Sequence, residues 1–174
     1  MRVNRTILAT LALLLLETAV LPWFTPGEWT GRLTPHLAFV MTMFAAFFGG
    51  RHHGFLFGLG FGLLSDILFY GHLIGAYGFG MALVGYLAGL AAARMHVRLL
   101  SLAWTVLLGG LVLYSIVYCI YMLFRITHES YLFMLTWQIV PTALAQLIFA
   151  LAIYVPARKL LTKPNAAPAD ENAD

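Results

Sequence analysis

Cysteine, charge and catalytic motifs are what this chain has least of. Its single cysteine, Cys119, excludes an intramolecular disulfide and a thiolate metal cluster. Only 10% of its 174 residues are charged, against roughly 25% in a soluble domain, so an ordinary soluble globule is excluded. No His-Glu-x-x-His pair, no Gly-x-Ser-x-Gly elbow and no phosphate loop ending in Lys-Ser/Thr occurs. Zinc protease, serine hydrolase and nucleotide hydrolase readings therefore have no residues to rest on. Adjacent His52 and His53 would point about 100° apart on a helix and cannot share a metal as an i, i+4 pair could. No cofactor and no metal is implied, and catalysis is not expected.

What the chain has instead is apolar length. Hydrophobic residues make up 61% and the mean hydropathy is +0.87, as expected of an all-α integral membrane protein. About six spans of roughly 20 residues fit, and polar punctuation places them near residues 7–24, 35–48, 54–70, 73–93, 99–124 and 131–156. The second and third are short, divided only by Gly49, Gly50, Arg51, His52 and His53, and invite tilt or a re-entrant course. The basic start with Arg2 and Arg5 resembles a signal n-region. However, Glu17, Pro22 and Trp23 follow the leucine run in place of a small-x-small cleavage site, so the first segment reads as a retained span.

The distribution of cations orients this six-span bundle. With a cytoplasmic N-terminus, the inner segments carry Arg2, Arg5, Arg51, Arg94, Arg98, Arg158, Lys159 and Lys163, while the outer loops carry only Arg32 and Arg125. This is a positive-inside bias that places both termini in the cytoplasm. The net charge of +3 suits anionic headgroups and gives no reason to invoke nucleic acid. Residues 1–161 form one membrane domain, with a possible interfacial loop at 25–34 carrying Trp29. Residues 162–174, with two prolines and three acids, read as a disordered cytoplasmic tail.

The densest pattern is the apolar, glycine-rich run from Gly54 to Asp66. Gly54, Gly58 and Gly62 recur every four residues and share one helix face, where a second helix can approach closely. Gly85 and Gly89 continue the theme in the fourth span. These glycines are candidates for helix packing or for a partner interface. Asp66 extends the same stripe and carries a carboxylate into the interior, as Glu17 does from the first span. Both acids belong to the outer half of the membrane, where Gln138 and Gln146 of the sixth span enter and where His72 and His128 flank. Together they could line a polar, outward-opening cavity or partner site. The plainer reading has Glu17 hydrogen-bond a neighbour or snorkel toward the outer interface, and has Asp66 fix a helix end or pair with a backbone amide near the turn at 65–71.

Aromatic residues make up 14% of the chain. Trp23, Trp29, Trp104 and Trp137 fall near expected span ends. Tyr114, Tyr118 and Tyr121 share a face of the fifth span, where packing is the ordinary role.

Several of these residues occur in a recognisable order. A basic start leads into an apolar helix with an internal acid. Pro35-His36-Leu37 then opens the second span. The run Gly60-Phe61-Gly62-Leu63-Leu64-Ser65-Asp66 follows, and then Gly85-Tyr86-Leu87-Ala88-Gly89. Over nearly its whole length the chain resembles the bacterial rod shape-determining protein MreD family. The resemblance implies a non-catalytic inner-membrane component of the elongation complex that supports cell shape and lateral peptidoglycan synthesis. Its partner would be an MreC-like single-span protein, linked onward to MreB filaments and to the cell-wall polymerase and transpeptidase. A homodimer is also possible. The implied fold is similar to the six-helix substrate-binding subunits of energy-coupling-factor vitamin transporters.

A substrate-binding subunit for a vitamin or small solute is the alternative function, with Glu17, Asp66, Gln138 and Gln146 lining its cavity. Such subunits carry an alanine-x-x-x-alanine pattern on the first helix. Ala9-Thr10-Leu11-Ala12 does not match it.

Overall fold

The structure is a computed structural model that describes residues 3–24, 36–69, 73–94 and 99–161. Among these residues every regular element is helical and no strand occurs. The loop at 25–34 with Trp29, the outer-edge His72 and the tail at 162–174 lie outside the described residues. Arg2, Arg32, Arg98 and Lys163 lie outside them too, as do the side chains of Arg5, Trp23, Arg158 and Lys159.

Helix α1 is Val3–Phe24, α2 is Leu37–Gly49, α3 is Arg51–Leu68, α4 is Ala76–Ala92 and α5 is Leu99–Leu123. The last rod, α6, runs without a break through Tyr131–Met134, a π-helical turn at Leu135–Ile139, and Val140–Leu161. Pro141 accounts for that turn. Its nitrogen has no hydrogen to give the carbonyl of Trp137, and its ring crowds that carbonyl, so the helix widens just ahead of it.

Helix α2 is the hub, packing against each of the other five. Every residue from Leu37 to Phe47 is buried, so this helix shows no polar face. At 13 residues it is about 20 Å long, short of the roughly 30 Å hydrocarbon core. Its one hydroxyl, on Thr42, is spent on the Ala38 carbonyl, and apolar neighbours surround it: Phe39, Val40, Met43 and Phe44 join Met81, Val84, Val106 and Leu113 in the main core cluster. Helix α1 presents the buried stripe Thr6, Thr10, Leu14 and Glu17 at helical spacing, while Leu8 and Leu15 face outward.

The link between α2 and α3 is tighter than the five polar residues suggested. Gly50 alone separates the helices, at φ +88°, a backbone conformation favourable only to glycine. Arg51 and His52 are exposed in the first turn of α3 instead of forming a loop. At the far end, Gly75 takes a left-handed conformation (φ +101°) and starts α4 three residues later than the spacing suggested.

The outer surface of the bundle is apolar. Leu8, Leu56, Ile74, Leu100, Leu132 and Ile148 are all at least 64% exposed, an arrangement suited to lipid and costly in water. Two stretches, Leu99–Leu123 and Tyr131–Val155, are long and apolar enough to cross a bilayer by length and composition.

Candidate functional site

The two interior acids both end at helix N-termini. Glu17 projects from α1 toward the start of α2. Its Oε2 accepts the Leu37 backbone N–H at 2.8 Å, and its Oε1 accepts from His36 Nδ1 at 3.0 Å. Asp66 projects from the last turn of α3 toward the start of α4. Its Oδ2 accepts the N–H groups of Gly75 (2.9 Å) and Gly78 (3.1 Å), and its Oδ1 that of Tyr77 (3.3 Å). The first N–H groups of a helix have no partner within it and carry the positive end of its dipole, so a carboxylate is the natural cap. Glu17 is 3% exposed and Asp66 2%. Each acid is thus buried, satisfied and structural in its contacts.

His36 joins the two caps. It precedes α2 in extended conformation and lies beside Tyr77 (centroids 4.8 Å apart), Phe69 (5.4 Å) and Tyr114 (6.3 Å). Tyr77 belongs to the turn capped by Asp66, and the Tyr114 hydroxyl accepts from Gln146 Nε2 at 2.9 Å. Glu17, Asp66 and Gln146 are therefore brought together around one histidine and two tyrosines. Gln138 is half-buried in the π-helical turn, and among the described residues no hydrogen bond joins it to the other three. Gln146 Oε1 is buried without a partner among the described residues. This is a costly condition for an amide oxygen.

Sequence reasoning missed His36, Phe69 and Tyr77. The signal available for His36 was its position as the last polar residue before a strongly apolar helix, where a capping contact is needed. For Tyr77 the signal was weaker, since its backbone N–H and its ring both contribute and only the ring is visible in sequence.

The glycines lie face to face. A methyl added at Gly54 would strike the carbonyl of Gly85, and one at Gly58 the carbonyl of Met81. One at Gly62 would stand 2.6 Å from Gly78 Cα, and one at Gly89 would stand 2.5 Å from Arg51 Cα. The antiparallel α3 and α4 backbones thus touch along most of their length, made possible by missing side chains. Gly60, off this face, has nothing within 4 Å of such a methyl.

Of the tyrosine stripe, Tyr114 meets Gln146 and Tyr118 donates to the Glu129 carbonyl at 2.7 Å. Trp104 and Trp137 are 52% and 45% exposed on the apolar exterior. Among the described residues no group of three His, Cys, Asp or Glu side chains is placed to hold a metal ion.

The family model described as rod shape-determining protein MreD matches residues 1–164. No curated protein and no solved structure gives a match. With a match over nearly its full length, on an all-helical bundle whose exterior is apolar, this chain belongs to the MreD family of rod shape-determining membrane proteins.

Proposed function

We propose that this protein is a non-catalytic, multi-pass component of the cell-elongation complex in the inner membrane of a rod-shaped bacterium. Six spans hold it there, with both termini and the tail at 162–174 in the cytoplasm. It binds an MreC-like single-span protein, and through it supports MreB filaments, the cell-wall polymerase and transpeptidase, and lateral peptidoglycan synthesis. A second copy of the chain is a further candidate neighbour. The fold we propose is the six-helix type of the energy-coupling-factor substrate-binding subunits.

The observation that carries this reading is the family match over residues 1–164. The use of Glu17 and Asp66 supports its architectural part, because each carboxylate already receives two or three hydrogen bonds from its surroundings. A group committed in this way stabilises a helix start and has little left for a substrate. The cation distribution supports the orientation: Arg51 and Arg94 lie at the end of the bundle opposite Asp66 and Glu17.

The test is purification from the native membrane in mild detergent, with co-purifying chains identified by mass spectrometry. An MreC-like single-span protein together with cell-wall synthesis enzymes is expected. A pair of ATPases with a coupling membrane subunit would overturn the reading in favour of solute transport. Glu17, Asp66, Gln138 and Gln146 would then be the ligand-site candidates.

A further inference from the structure

A groove on the outer surface between α3 and α4 encloses about 600 Å³. Phe55, Leu59 and Leu63 of α3 line one wall and Phe79 and Leu83 of α4 the other, all of them exposed. At one end the lining changes to His52 and Tyr86. The antiparallel register pairs Gly54 with Gly85 and Arg51 with Gly89, so His52 and Tyr86 sit at the same level.

Length and charge together specify what fits. From His52 to Leu63 the α3 wall rises about 17 Å, at roughly 1.5 Å per residue. One leaflet of a bilayer has about half of the roughly 30 Å hydrocarbon core, so the groove matches a single acyl chain lying along the membrane normal. The headgroup end is cationic. Arg51 and His52 are exposed in the first turn of α3, and Arg94 is exposed just beyond α4 at the same end. Among the described residues neither arginine forms an ion pair, and the described acids lie elsewhere: Glu17 and Asp66 at the opposite end, and Glu129 in the α5–α6 link. Two arginines without an ion pair, at the end of an apolar channel one leaflet deep, suit a negative headgroup on a hydrocarbon tail.

We infer that the α3–α4 groove is a binding site for one anionic phospholipid, with an acyl chain between Phe55 and Phe79 and the phosphate at Arg51, His52 and Arg94. The inference rests on the proposed membrane embedding, and the proposed orientation places the site in the cytoplasmic leaflet. The groove runs between α3 and α4, the most closely packed helix pair among the described residues, so a bound lipid would lie directly over that pair.

The full chain is reconstituted into nanodiscs of equal phosphatidylglycerol and phosphatidylcholine, and the lipids it retains on release are read by native mass spectrometry. The wild type should retain one phosphatidylglycerol in preference to phosphatidylcholine. Each of R51Q and R94Q should lower that preference about fivefold, the effect of one cation at a membrane surface. R51K/R94K, which keeps both charges, should preserve it. Both arginines are exposed, so the bundle should fold in all variants, and equal thermal midpoints would confirm this. Equal retention of the two lipids by the wild type, or an unchanged preference in R51Q/R94Q, would overturn the site and leave the membrane reading standing. Failure of the wild type to enter the nanodisc would overturn both.

Discussion

Glu17 and Leu37, twenty residues apart in sequence, are joined by a 2.8 Å hydrogen bond from the backbone N–H of α2 to a carboxylate of α1. Asp66 repeats the arrangement one helix pair later, accepting from the start of α4. In both cases an acid on one helix holds the N-terminus of the next, at the same end of the bundle and on either side of His36.

Glu17→Gln should destabilise the bundle by about 1–3 kcal/mol. Glutamine has one acceptor oxygen, whereas both His36 and Leu37 present N–H groups to Glu17. With the oxygen on the Leu37 N–H, the NH2 group faces His36 Nδ1, which must give up its proton and change tautomer to accept from it. Glu17→Ala should cost more, about 3 kcal/mol, by leaving both donors buried and unsatisfied. Thermal unfolding in detergent measures the order, and equal midpoints for all three proteins would show that the cap contributes nothing.

Asp66→Asn keeps one acceptor and loses the charge at the dipole of α4, an expected cost of about 1–2 kcal/mol. Asp66→Ala should cost roughly twice that, since the N–H groups of Gly75, Tyr77 and Gly78 all lose their partner. Hydrogen exchange at the start of α4 should rise in the same order. Unchanged exchange there would contradict the capping role.

Within α3, glycines four residues apart and those between them should respond oppositely to the same change. Gly58→Ala drives a methyl into the Met81 carbonyl and should cost at least the roughly 1–3 kcal/mol of overpacking, because backbone cannot yield as a side chain does. Gly60→Ala meets open space and should be neutral or stabilising by up to about 1 kcal/mol through helix propensity. Equal melting temperatures for the two variants would rule out the close α3–α4 approach.

These glycines show what could be read from the residues alone. Their four-residue spacing marked a smooth face, and Asp66 at its end was legibly interior. The atoms Asp66 meets were not legible, because they belong to the next helix at 75–78 and not to the turn at 65–71. The central position of α2 was hidden for a different reason. Every one of its faces is apolar, so no periodicity reports which neighbours surround it. The pairing of Glu17 with His36 depends on how the chain returns between α1 and α2, which no local pattern encodes.

Gln146 offers a separate test. Gln146→Leu removes the unpartnered Oε1, a gain of about 1–3 kcal/mol, and the donor to Tyr114, a loss of about 0.5–1.5 kcal/mol. The variant should therefore be no less stable than the wild type. A loss of more than about 2 kcal/mol would show that Oε1 has a partner in the membrane, and would return Gln146 to the list of ligand-site candidates.

The contacts of Glu17 and Asp66 point to architecture and not chemistry as the work of the interior acids. The most direct test supplies D66N in cells lacking the wild-type protein and follows cell shape and membrane abundance as the growth temperature rises. Rods are expected at low temperature, where a bundle weakened by about 1–2 kcal/mol still folds. On warming, shape and abundance should be lost together. Round cells at every temperature, with the variant folded and abundant in the membrane, would contradict an architectural role and assign the Asp66 charge a direct role in function.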